Sequence, residues 1–445
     1  MASSQSTSAR RTTGLVLVLS LLAIPAAVLR LYCVGASCHK SASVASAVPF
    51  CSLPSKVRTL IGNGFRTGRS ADILTVTGPP GVEGGTDLAA NATDVPWATL
   101  ATAGTMVPLS FGGTGVSPGP IQGAVGLDDV AATEAAILGL SRPHANVRSG
   151  TALPGVADGT HPRLLLEIVI TGISSADLGD WPHLNSAMQS GASTAMASTG
   201  SMPVDPAAVL TTIGTGGLPY QHGMTGTAIR NDKGGVTAAW AQHSPVSVIA
   251  TLGDDLDHAF DEKPRIGLVA PQPGDRGAIG GNWYLGSDRD DVDTGEADAA
   301  NALRQVSHWL DGGYGADDVP DLLVAVLNGD DRTADTAIPR LVSMARKASG
   351  GSLAVVMTAT GASAAPGSLP AHKVAARVQR SVATSGPLIA AADPQGLFLN
   401  QHTVAQEKVS EDAVLKALEN MDGPAGKPLM DQVFPALAVS FERYC

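Results

Sequence analysis

Short apolar runs without strict alternation, bounded by glycine, proline or polar residues, recur at residues 72–77, 106–111, 163–170, 265–269, 321–327 and 352–358. Such a run suits a strand buried on both faces, because a strand with one wet face would alternate. Between the runs, apolar positions fall at helical spacing over 54–64, 128–138, 297–310, 336–347 and 410–420, the last opened by Ser410 as N-cap. Strand–helix alternation predicts an α/β fold with a mostly parallel central sheet and helices on both faces. No internal repeat breaks residues 52–445, which read as a single large domain.

The apolar run at 13–29 is of another kind. It follows Arg10 and Arg11 and stops at Arg30. Its length is at the short end of a spanning helix, about 17–25 residues, yet exceeds most signal-peptide cores. The pattern predicts a cytoplasmic tail at 1–12, a signal anchor or signal peptide at 13–32, a linker at 33–51 and a body outside the cytoplasm. An uncleaved segment makes a single-pass protein of the cell membrane, with the membrane as partner; cleavage after Ala36 makes a secreted one.

Forty acidic against 29 basic residues give a net charge of -11, and no Lys/Arg cluster exceeds a pair. That balance argues against a nucleic-acid-binding surface. Four cysteines, Cys33, Cys38, Cys51 and Cys445, suit an oxidising compartment, where an even number permits two disulfides. Their spacing builds no zinc knuckle or Cys-x-x-Cys redox motif.

Four blocks carry a resemblance. They are the strand at 164–173 with the helix at 183–191 after it, the stretch PVDPAAVLTTIGTGGLPYQHG at 203–223, PDLLVAVLNGDD from 320 and SLAVVMTATG from 352. Together they resemble the alkaline-phosphatase superfamily, in particular its nucleotide pyrophosphatase/phosphodiesterase branch, which implies a three-layer sandwich. Residues 69–77, 107–116 and 127–139 resemble that family's C-terminal portion, yet here they precede its N-terminal portion. Residues 52–150 thus correspond to the family's end and 163–445 to its beginning, as a circular permutation would arrange them. The new break then lies between Cys51 and Cys445 and implies a disulfide joining them, with Cys33 and Cys38 as the second pair.

The resemblance also implies two metal ions, held by carboxylates and imidazoles, that activate a Ser or Thr nucleophile. Taken residue by residue, that set is missing. Thr171 stands where the first strand should end in Asp, and Pro206, which has no hydroxyl, stands at the nucleophile position. Asp331 keeps the acid of an Asp-x-x-x-His pair, but Asp335 replaces the imidazole. Thr360 occupies the His position of an Asp-His-Gly strand, and Thr93 that of the last His. Two carboxylates cannot assemble a binuclear centre.

The expectation is a degenerate, alkaline-phosphatase-like protein without cofactor, binding or assembling with an unidentified protein or ligand at the cell envelope. The alternative is a zinc- or manganese-dependent phosphodiesterase or phosphatase whose site has moved. Its residues would come from Ser201, Asp205, His222, Asp331 and Asp335, with Asp254, Asp257 and His258 as further candidates.

Other motifs read as structure. His222 reads as a satisfied core imidazole. Asp254, Asp255, Asp257 and His258 read as an acidic loop cluster, and the run at 288–298 as a solvated loop opening a helix, since it lacks the EF-hand order. The glycines at 111–115 and 213–217 are not followed by Lys and Ser/Thr, so there is no P-loop, and no Gly-x-Ser-x-Gly elbow is present.

Overall fold

The computed structural model describes residues 50–77, 82–85, 94–96, 102–241, 244–281, 283–284, 288–295, 298–362, 369–393, 396–422, 429–440 and 445. The apolar run at 13–29, Cys33, Cys38 and Thr93 lie outside the described residues. Among the described residues no helix is long and apolar enough to cross a membrane.

The strands that build the two larger sheets are β1 (Ile73–Thr77), β2 (Met106–Gly113), β3 (Gly119–Pro120), β4 (Leu164–Thr171), β5 (Ala192–Ser198), β6 (Ile266–Ala270), β7 (Asp291–Thr294), β8 (Asp321–Asn328), β9 (Leu353–Ala359), β10 (Ile389–Asp393), β11 (Gly396–Leu399) and β12 (Met430–Pro435). The helices that matter below are α1 (Ser55–Gly64), α2 (Asp129–Leu138), α3 (Pro182–Ser190), α4 (Pro206–Thr215), α5 (Pro219–His222), α6 (Leu252–Ala259), α7 (Ala299–Asp311), α8 (Ala334–Ala348), α9 (Ala371–Val382) and α10 (Glu411–Glu419).

The large sheet has the order β7-β6-β8-β4-β9-β2-β5-β3. Its first five strands are mutually parallel, and β2 alone runs against its neighbours. This is the α/β fold with a mostly parallel sheet that the apolar runs predict. At its centre, β4, β8 and β9 are buried over nearly their whole length. Helix α7 buries Ala302, Val306, Trp309 and Leu310, a stripe at helical spacing, and packs on α8 and the sheet.

The run at 72–77 does not join this sheet. As β1 it enters a smaller antiparallel sheet of order β10-β11-β1-β12. Ile73 points into a core with Val374 and Val378 of α9 and Val414 and Leu418 of α10. Its neighbour Leu74 packs on Phe50, Leu60 and Ile61 around α1. The strand is covered on both faces by different helices, so its sequence carries the same unalternating signature as a strand of the parallel sheet.

The acidic run at 288–298 is also more ordered than a solvated loop. Its middle is the edge strand β7, whose Asp291 accepts a 2.9 Å hydrogen bond from the Tyr314 hydroxyl. Asp298 is the N-cap of α7, accepting from Asn301 N at 2.6 Å.

The ends of the described chain meet. Helix α1 leads from Cys51 and β12 runs beside β1 towards Cys445, and the two cysteines are disulfide-bonded with Cα atoms 5.1 Å apart.

A polar pair interrupts the main core. Glu167 in the middle of β4 and Glu134 on α2 are both buried, and one carboxyl oxygen of each has no partner among the described residues. Burial pushes Glu167 up from its ordinary 4.5 to about 8. Burial also raises Glu134, where the Glu167 charge adds and Arg142 opposes. The folded chain therefore holds protons that the unfolded chain releases near pH 4.5. Stability is fully present below that pH and is lost as the pH climbs towards 8, at up to about 1.4 kcal/mol per pH unit for each proton. Glu167→Gln is expected to flatten this slope by one proton. Urea midpoints at pH 5, 6.5 and 8 check it, and an unchanged slope would contradict the assignment.

Candidate functional site

In open α/β sheets, ligands collect at the carboxyl ends of the parallel strands. Here that edge is formed by Thr171 of β4, Asn328 of β8 and Thr360 just beyond β9. Thr171 and Asn328 are register partners. Gly172 N donates to Thr360 Oγ1 at 3.1 Å, and Thr360 N donates to Ile170 O at 3.0 Å. The Thr171 hydroxyl makes a long 3.4 Å bond to Leu327 O. These contacts tie one strand end to the next. Gly361 continues the close packing with φ +95°, and a Cβ there would sit 2.5 Å from Gly104 O.

The acids next to this edge serve helix ends. Asp331 Oδ2 accepts from Ala299 N at 2.8 Å, in the first turn of α7. Its Oδ1 accepts from the Thr333 amide at 2.8 Å and hydroxyl at 2.7 Å. The Ala299 N–H, foremost among these, holds the carboxyl below its ordinary value. Asp335 accepts from the amides of His183 and Leu184 at 3.1 Å, in the first turn of α3, and pairs with His183 Nδ1 at 2.7 Å. Both carboxylates thus neutralise orphan donors where a helix dipole favours negative charge.

Asp205 and Pro206 open α4. Asp205 is its N-cap, accepting from Ala207 N at 2.9 Å and Ala208 N at 3.4 Å, and Pro206 takes the first helical position, where a missing N–H costs nothing. Asp205 also accepts from the Thr227 amide at 2.9 Å and hydroxyl at 3.0 Å. It is fully buried; desolvation raises its pKa and these four donors oppose the rise.

Ser201 is 1% exposed, and its hydroxyl has no hydrogen-bond partner among the described residues. The loop that carries it is clamped under α1: Met202 N donates to Leu60 O at 2.8 Å, and Asn63 Nδ2 to Gly200 O at 2.8 Å. Gly64 is required at this crossing, since a Cβ would lie 2.1 Å from Met202 O.

His222 ends α5 and is fully buried. Its Nδ1 accepts from Met224 N at 3.1 Å, so Nε2 carries the proton and donates to Thr212 Oγ1, also at 3.1 Å. Burial, reinforced by Arg66, pushes its pKa down to about 3. The ring is a neutral bridge between α4 and the chain after α5.

The cluster at 254–258 lies on a helix and not on a loop. Thr251 and Asp254 form a capping box at the start of α6, the Thr-x-x-Asp spacing being the sequence signal for it. Asp255 is buried and receives Arg142 Nε at 2.7 Å, Arg148 Nη2 at 3.1 Å and the Tyr284 hydroxyl at 2.7 Å. Sequence reasoning has no signal for this ion pair, because its partners are more than 100 positions apart. Asp257 is raised to about 6, by burial first and by Asp254 and Glu262 next. His258 stacks on Tyr284 with ring centroids 4.2 Å apart.

Asp205 and His222 therefore flank α4, Ser201 sits on the loop under α1, Asp331 and Asp335 face the starts of α7 and α3, and Asp254, Asp257 and His258 belong to α6. Among the described residues, no three His, Cys, Asp or Glu side chains group as ligands for a metal ion.

No protein-family model matches the chain, and no curated protein matches it. One solved structure reported as similar is that of wild-type alkaline phosphatase PafA. The match spans 59% of this chain and 77% of PafA at 14% identity, with a TM-score of 0.41. Similarity to PafA at this level assigns no residue a role.

Proposed function

We propose that the chain is an extracytoplasmic protein, held to the membrane by its N-terminal apolar run, whose alkaline-phosphatase-like body binds or assembles at the cell envelope instead of hydrolysing phosphate esters. The observation that carries this reading is the occupation of the candidate acids and of the candidate imidazole. Asp331 and Asp335 spend their oxygens on helix N-termini, Asp205 divides its oxygens between the start of α4 and Thr227, and His222 spends both ring nitrogens on Met224 and Thr212. Thr171, Thr360 and Pro206 supply no strong metal ligand in their place. The Cys51–Cys445 disulfide supports a body outside the reducing cytoplasm. A fold can persist without its chemistry, because function resides in the site.

The test is turnover of p-nitrophenyl phosphate and bis-p-nitrophenyl phosphate by the full chain with zinc or manganese added. The expected rate is the metal-only background. A rate that exceeds background and is abolished by Asp331→Asn with Asp335→Asn would establish the relocated phosphodiesterase site instead.

A further inference from the structure

Seven large apolar side chains are notably exposed among the described residues, and four of them, Val147 at 45%, Tyr220 at 44%, Val246 at 60% and Val248 at 44%, sit on three segments that are bonded to one another. Backbone and side-chain bonds hold their three segments together. Val248 N donates to His222 O at 2.9 Å, Ser149 Oγ to Gln221 Oε1 at 2.9 Å, and Gly150 N to Gly216 O at 3.0 Å. The loop at 244–250 is inside out. Val246 and Val248 face outward while Ser247 is 3% exposed, its hydroxyl turned in to donate to Ile249 O at 2.6 Å. An alternating segment normally does the reverse, so this one is shaped for an apolar neighbour.

Two further observations select the neighbour. In a chain with 40 acidic residues, segments 143–150, 217–223 and 244–250 contain none, so no carboxylate of their own opposes an anionic surface. The patch and the point where the described chain begins lie at opposite ends of one helix, α1. That point is Phe50, packed beside α1, a helix about 15 Å long. Just past the other end of α1, Arg66 donates to Tyr220 O at 3.0 Å and Gln221 O at 2.7 Å.

We infer that the surface of Val147, Tyr220, Val246 and Val248 rests on the lipid bilayer and sets the orientation of the body on the membrane. This rests on the tethered reading above. A tether that enters the body at Phe50 holds it at an effective concentration of about millimolar order. A modest apolar patch is then sufficient, with Tyr220 suited to the headgroup level.

The test uses the full chain in vesicles of phosphatidylcholine and phosphatidylglycerol at 3:1. Flotation after carbonate wash reports the tether. Hydroxyl-radical footprinting of Tyr220, normalised to the exposed Trp283, reports the patch. The expected result is that the chain floats and that Tyr220 reacts at least threefold less than in chain clipped from the vesicles within residues 30–49. Val246→Asp with Val248→Asp, both at exposed positions, should restore Tyr220 reactivity while flotation persists. A floating chain with fully reactive Tyr220 overturns the bilayer face and leaves the tether standing. A chain that fails to float overturns both. Protection of Tyr220 without vesicles that grows with protein concentration replaces the bilayer with a second copy of the chain.

Discussion

Cys51→Ser lowers the stability of the body by about 4–5 kcal/mol, the largest single effect expected in this chain. The Cys51–Cys445 bond closes a loop of sequence separation 394, so in the unfolded state it removes more chain entropy than a bridge of ordinary span. In the folded state the ends are already brought together by β1 against β12 and by the cluster of Phe50, Leu53, Leu60, Phe434 and Val439. The bond therefore acts mainly on the unfolded ensemble, and both cysteines are exposed to a reductant. Denaturant titration of the variant, and of the native chain with dithiothreitol, should give the same loss. A loss below about 1 kcal/mol in both would show that the unfolded chain keeps its ends together without the bond.

Asp205→Ala is expected to cost about 3–5 kcal/mol, from a lost N-cap and two or three buried donors left unsatisfied. The side chain serves the first turn of α4 and the Thr227 amide and hydroxyl at once, in full burial. Asp205→Asn keeps the acceptor oxygen and should recover about half of the loss, since it gives up charge assistance and one acceptor. Urea unfolding of the three proteins measures the order. Equal loss in both variants would mean that the charge, not the hydrogen-bond geometry, is what α4 needs.

The large sheet was legible because burial on both faces leaves an unbroken apolar run, and the runs at 163–170, 321–327 and 352–358 all became its central strands. The same feature misled at β1. Double burial identifies a strand but carries no information about which sheet it joins or in which direction it runs. At α6, three aspartates and His258 suggested a loop, whereas the Thr251–Asp254 capping box decided for a helix. The near-site acids were legible as positions and not as roles. Asp335 meets His183 and Asp255 meets Arg142 and Arg148 across more than 100 residues, and no local pattern records such pairings. Glu167 was hidden within an apolar strand, and its partner Glu134 lies on a helix 33 positions earlier.

The central claim is that the acids near the sheet edge are committed to helix ends and do not hold catalytic metal. The most direct measurement is the zinc and manganese content of the purified full chain by elemental analysis after equilibration with either ion. The account predicts well under one equivalent of each. Two tightly held equivalents, lost on Asp331→Asn with Asp335→Asn and accompanied by phosphoester turnover, would contradict it.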